Sequence, residues 1–142
     1  MKAKLFFLMV FSIIIIGCEQ KTKDPIEGVW EMIFMEYPNM EISYPGGATG
    51  EATKSWTTGG FTIGGEWQID TIHYNYHGWG TYTLEDTHYT ETIINHPDDA
   101  LVGETINMII IVRNDTLIQK WPVDDNWIPV DNHNTEKYIR LK

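Results

Sequence analysis

Cysteine is almost missing from this chain: Cys18 is the only one in 142 residues. An intrachain disulfide is thereby excluded, and a folded domain must be held by its own core. Basic side chains are scarce too, 10 Lys and Arg against 20 Asp and Glu, for a formal net charge of −10. A surface of that sign disfavours nucleic acid and anionic lipid headgroups as partners. Amphipathic helical periodicity, internal repeats and low-complexity segments are absent, which leaves an all-β reading. No nucleophile has an identifiable base, no carboxylates pair at a motif spacing, and there is no phosphate loop or dinucleotide fingerprint. Nothing in the sequence therefore indicates an enzyme or a cofactor.

Lys2 and Lys4 precede an apolar run, Leu5 to Ile16, that leads into Gly17-Cys18. The run is short for a membrane span of about 20 residues. An uncleaved anchor and an ordinary secretory signal are the competing readings. The pattern is similar to a bacterial lipoprotein signal peptide, in which a small residue precedes a cysteine that becomes lipidated. That resemblance implies cleavage after Gly17 and a lipid bilayer partner through acylated Cys18. The implied place is the cell envelope, on the outer membrane, with the domain periplasmic or surface-exposed. Residues 1–17 are then the signal, 18–27 the lipidated cysteine and a tether, and 28–142 the folded domain. Loss of Lys2 and Lys4 takes the net charge from −10 to −12. A chain of this remaining length buries roughly two thirds of its unfolded surface, enough for one domain without staples.

The strand signals begin at Gly28-Val29-Trp30, where Trp30, Met32 and Phe34 alternate with Glu31, Ile33 and Met35. Dense Pro and Gly predict a long loop from Tyr37 to Glu51. Lys54 to Ile63 reads as one strand with a bulge or two short strands around Gly59-Gly60. Thr71 to His77 alternates strictly, and Gly78-Trp79-Gly80 is expected to turn it into a hairpin. That hairpin, Gly80 to Asn95, organises the chain. A two-residue turn at Asp86-Thr87 pairs Glu85 with His88, Leu84 with Tyr89 and Tyr82 with Glu91. One face then carries Tyr82, Leu84, Tyr89, Glu91 and Ile93, and the other carries threonines, Glu85 and His88. A second hairpin around Asn114-Asp115 puts Ile106, Met108, Ile110, Val112, Leu117, Gln119 and Trp121 on one face. Pro122 to Thr135 reads as loop, and Glu136 to Leu141 as the last strand, with Tyr138 and Arg140 on one face. Consecutive antiparallel strands of this number resolve their edges by closing or stacking.

These residues resemble the lipocalin-like, or calycin, barrels, within them small bacterial lipoprotein domains. Gly28-Val29-Trp30 looks like the G-x-W of the family's first strand, and Arg140 stands where its arginine packs across that tryptophan. Gly80 to Leu84, Tyr89 to Glu91, Leu101 to Gly103 and Asp115 to Leu117 continue the similarity, while Tyr138 replaces a tryptophan common in the family. The resemblance implies an antiparallel up-and-down β-barrel of about 8–10 strands, closed by Trp30 and Arg140.

Glu91 is the leading candidate for function. A carboxylate in a barrel interior is costly unless partnered, and Tyr82 opposite it could supply a hydrogen bond. Small-molecule sites commonly set a few polar anchors in apolar cavities, so Tyr82, Tyr89, Glu91, Gln119 and Trp121 form the candidate set for a small, largely apolar ligand. The bland alternatives are a structural Glu–Tyr bond and a register slip that turns Glu91 to water. Metal binding is not indicated: His73 and His77 share a strand face but stand about 13 Å apart, too far to converge on one ion. Trp56, Trp67, Trp79 and Trp127 fall near expected turns, as core packing or as a rim to the mouth. Three functional readings follow: a lipoprotein barrel that binds an apolar ligand, an interaction lipoprotein whose barrel is filled by its own side chains, and a barrel enzyme using Glu91 for proton transfer.

Overall fold

Two-residue alternation carries the chain around a closed barrel. The computed structural model describes residues 23–142; the expected signal segment, Cys18 and the start of the expected tether lie outside the described residues. Nine strands follow in order: β1 (Gly28–Tyr37), β2 (Ile42–Tyr44), β3 (Ala48–Thr57), β4 (Gly60–Ile69), β5 (Ile72–Glu85), β6 (His88–Asn95), β7 (Thr105–Arg113), β8 (Thr116–Val123) and β9 (Pro129–Arg140). Apart from β2, each pairs antiparallel with its neighbour, and β9 returns to β1, which closes eight strands up-and-down. Closure leaves these strands without a free edge. No α-helix occurs among the described residues. The short β2 pairs with the end of β1 and lies outside the closed ring.

The central hairpin has the expected register, with Glu85 opposite His88, Leu84 opposite Tyr89 and Tyr82 opposite Glu91. Its inward face buries Tyr82, Tyr89, Glu91 and Ile93. The second hairpin likewise turns at Asn114-Asp115, with Ile110 opposite Gln119 and Val112 opposite Leu117.

Several expectations are corrected. Gly78-Trp79-Gly80 makes no turn: β5 runs straight through it, and the ladder to β6 shifts between Trp79 and Gly80. The glycine serves that bulge, because a Cβ on Gly80 would lie 2.1 Å from the Thr92 carbonyl oxygen. Within β1 the register slips between Met32 and Phe34, so Met35 turns inward and Phe34 packs outside beneath Lys137. The expected loop 37–51 contains a single helical turn, β2 and the first part of β3, and Lys54 to Ile63 belongs to two ten-residue strands. The expected loop 122–135 shrinks to a turn at 124–128, held by the Asp124 carboxylate, which accepts from the amides of Asn126 and Ile128. Its remaining Asp and Asn belong to the polar start of β9.

One end of the barrel is sealed. The Arg140 guanidinium lies 4.0 Å from the Trp30 ring centroid and donates to the carbonyls of Glu27 and Pro25. A cation over an indole is favourable by about 0.5–2 kcal/mol. The Trp30 indole N–H donates to the Ile26 carbonyl at 2.7 Å. Gly28 leaves the space for this stack, since a Cβ there would sit 2.7 Å from Arg140 Nη1. Part of the expected tether is therefore structural: Ile26 is fully buried, and Asp24 accepts the Tyr82 hydroxyl at 3.0 Å.

The bulge gives a direct stability test. Gly80→Ala should destabilise the fold by about 1–3 kcal/mol in urea titration, because the new methyl meets backbone. Gly64→Ala, at a site with nothing within 4 Å of the added Cβ, should stay within about 0.5 kcal/mol of the parent.

Candidate functional site

The inward positions of β3 run Ala48, Ala52, Lys54 and Trp56. Two small alanines leave room beside them, and the lysine reaches into the barrel. Lys54 Nζ lies 4.8 Å from the Phe61 ring centroid and 5.1 Å from that of Trp56. Its ion-pair partner is Glu91, at 2.8 Å, with both side chains buried. The same Glu91 oxygen accepts the Tyr89 hydroxyl at 2.9 Å, and Tyr89 in turn accepts the Trp56 indole N–H at 2.9 Å. A buried ion pair is tolerable only when such further hydrogen bonds complete it.

Gln119 extends the network. Its amide oxygen faces Lys54 Nζ at 3.5 Å, and its amide nitrogen faces Glu136 Oε2 at 3.5 Å. Glu136, on β9, also accepts the hydroxyls of Tyr37 and Tyr138, one on each carboxylate oxygen. Burial pushes the Glu136 carboxyl above its ordinary value of 4.5, outweighing the opposing pull of Lys54 and of the two tyrosine hydrogen bonds. Burial, reinforced by the neighbouring carboxylates, also holds the hydroxyls of Tyr37, Tyr89 and Tyr138 well above 10.0, so they act as neutral donors. Among the described residues every buried side-chain nitrogen and oxygen has a hydrogen-bond partner.

Two spaces adjoin this network. A partly polar cavity of about 80 Å³ lies among Lys54, Glu91, Gln119, Trp121 and Glu136, with Phe61, Ile93 and Met108 on its apolar side. An apolar chamber of about 200 Å³ lies among Met32, Met35, Ala52 and Trp67, bordered by Met40 and Ile42 of the strap that carries β2. Tyr37, Ile63, Tyr76 and Glu136 line both, so these four side chains stand between the two spaces. Tyr44 packs edge-on against Trp67 at 4.9 Å and seats the strap.

Of the candidates read from the sequence, Tyr89, Glu91 and Gln119 come together in one network, and Trp121 borders the polar cavity, edge-on to Tyr37 at 5.5 Å. Tyr82 stands apart: it stacks on Tyr89 and donates to Asp24 at the sealed end, so the Glu91 partners are Lys54 and Tyr89 instead. Trp56 and Trp67 are core residues, whereas Trp79 is half-exposed and borders the polar cavity. The 124–128 turn does not border the chamber; Trp127 stacks on His88 outside the barrel at 4.4 Å. The described residues contain no group of three His, Cys, Asp or Glu placed to hold a metal ion.

Sequence reasoning passed over Lys54 and Glu136. Both carried a usable signal: Lys54 lies two residues before inward Trp56, and Glu136 two before inward Tyr138, the spacing of one strand face. Neither protein-family models nor curated proteins give a match to this chain. What the geometry defines is a closed eight-stranded barrel with a charged interior network beside an apolar space.

The raised Glu136 carboxyl predicts a pH slope in stability. The folded chain keeps this proton to higher pH than the unfolded chain. Its contribution is therefore fully present below about pH 4.5 and is lost as pH rises through the folded-state value. Unfolding free energy from urea titration should fall across that window, at no more than about 1.4 kcal/mol per pH unit. Glu136→Gln should flatten the slope; an unchanged slope would show that Glu136 does not hold the proton.

Proposed function

We propose that the chain is a lipid-anchored envelope protein whose lipocalin-like barrel binds a small amphipathic molecule, with its polar end at Glu136 and Gln119 and its apolar end among Met32, Met35 and Trp67. The observation that carries this reading is a buried carboxyl group, Glu136, that lines both the small cavity beside the charged network and the apolar chamber. At about 80 and 200 Å³, each space lies below the usual range for drug-sized ligands, roughly 300–1,000 Å³, so the ligand is a small one. Methionines suit such a chamber because their flexible thioethers adapt to a guest and favour aromatic contacts. The resemblance to lipocalin-like barrels gains support from the eight-stranded up-and-down closure and from Arg140 over Trp30. Anchoring rests on the Gly17-Cys18 pattern alone, and stable attachment needs more than one acyl chain. An outer-membrane location is part of the same proposal.

A barrel that is filled by its own side chains and acts through its surface is the second reading. It is favoured by the complete satisfaction of the buried polar groups. Proton-transfer catalysis at Glu91 has less support, because Lys54, Tyr89 and their neighbours already engage that carboxylate.

Native mass spectrometry of the full-length product, purified from its own host, tests both halves. The expected polypeptide begins at a diacylated or triacylated Cys18 and carries an additional small molecule. Met35→Trp, which fills the chamber, should remove that molecule while leaving the lipid mass. A polypeptide starting at Met1 would overturn the anchor, and a bare mass from mild preparations would favour the filled barrel.

A further inference from the structure

Charge balance inside the barrel says what kind of polar end the ligand carries. Among the described residues three charged side chains are buried in the interior, the cation Lys54 and the carboxylates Glu91 and Glu136. Lys54 is committed to Glu91 at 2.8 Å and reaches toward Gln119, not Glu136. Glu136 is surrounded by neutral donors: Tyr37 from β1, Gln119 from β8 and Tyr138 from its own strand. The interior thus holds two acidic groups against one cation. The surplus is costly to bury, and a proton on Glu136 or a cation brought in from outside relieves it.

Geometry makes the second route available. Glu136 Oε2 takes two donors, whereas Oε1 takes only Tyr37 among the described residues, and an ionised carboxylate oxygen has room for a further donor. Glu136 lines both spaces, so that donor can come from a guest in the chamber. The opposite wall offers a hydroxyl. His96 Nδ1 accepts the Asp98 amide at 3.0 Å, so its proton sits on Nε2, which faces the Tyr76 oxygen at 3.1 Å. Tyr76 therefore points its own O–H away from His96, and it lines both spaces.

We infer that the barrel selects ligands with a cationic amine head on an apolar body, the ammonium donating to Glu136, and that it rejects anionic amphiphiles such as fatty acids. This inference rests on the binding reading above. An ammonium donates to Glu136 and restores interior charge balance. A neutral alcohol can donate to Glu136 and accept from Tyr76, so it binds without correcting the charge. A carboxylate would meet two acidic groups and a lysine that is already engaged. Because burial raises the Glu136 carboxyl, amine binding at a pH below its folded-state value releases a proton. The titratable and charged groups that face Glu136 are Tyr37, Tyr138, Lys54, Glu91 and Tyr76.

The test is isothermal titration calorimetry of the full-length protein with octylamine, 1-octanol and octanoate, in two buffers of different ionisation enthalpy. Octylamine should bind roughly tenfold tighter than octanol at about pH 8, with octanoate weakest. Its affinity should weaken toward about pH 5, and its heat should differ between buffers as a proton is released. In E136Q the amine should lose its advantage over the alcohol. Octanoate binding as tightly as octylamine, or no buffer dependence of the heat, would overturn the charge selection while leaving a binding barrel. Failure of all three probes would overturn the binding reading and this inference with it.

Discussion

The Lys54–Glu91 ion pair is the constraint to which the rest of the interior conforms. Two opposite charges 2.8 Å apart, both nearly inaccessible to water, are costly to desolvate, and attraction alone does not recover that cost. The surroundings supply the remainder. Tyr89 and Trp56 complete Glu91 from one side, the Phe61 and Trp56 rings lie close to the ammonium, and Gln119 links the lysine to Glu136. Removing either charge alone would leave the other buried and unpaired, a loss of about 3–5 kcal/mol. A core meant only for stability would be apolar, so the expense of this one is the reason to look for a task.

An eight-stranded barrel has an interior just wide enough to be filled by side chains or to hold one small molecule. Here the two regimes divide along the axis. At the sealed end Trp30 and Arg140 stack, with Ile26 and Asp24 hydrogen-bonded to the Trp30 indole and the Tyr82 hydroxyl. Toward the other end the alanines of β3 and the methionines of β1 leave a chamber, covered by the strap that carries β2. The polar network lies where filled gives way to open, a position suited to reading the end of a guest molecule.

Much of the fold was legible in the sequence because antiparallel hairpins write their faces with period two. The turns at Asp86-Thr87 and Asn114-Asp115 set two registers, and these placed Tyr89, Glu91 and Gln119 on the inner surface. What failed was local. The slip in β1 exchanges Phe34 for Met35, and nothing in that run of apolar residues marks which one is extra. Gly78 and Gly80 read as turn punctuation, although Gly80 is there to let β6 approach closely. Polar residues of 122–135 read as loop because an outward strand face and a loop have the same composition. The site was half legible for a different reason. Glu91 stood out as a lone acid in an apolar pattern, but its partner Lys54 lies on a strand distant in sequence, and barrel closure alone brings Glu136 to the same place.

We propose that the interior network exists to meet a guest at the Glu136 carboxyl. A crystal structure of the protein purified from its own host tests this most directly. The predicted result is continuous density for an organic molecule in the chamber between Met32, Met35 and Trp67, with its polar end in hydrogen-bonding contact with Glu136. A chamber closed by inward collapse of the strap, or holding only water while the Lys54–Glu91–Glu136 network stays intact, would contradict it.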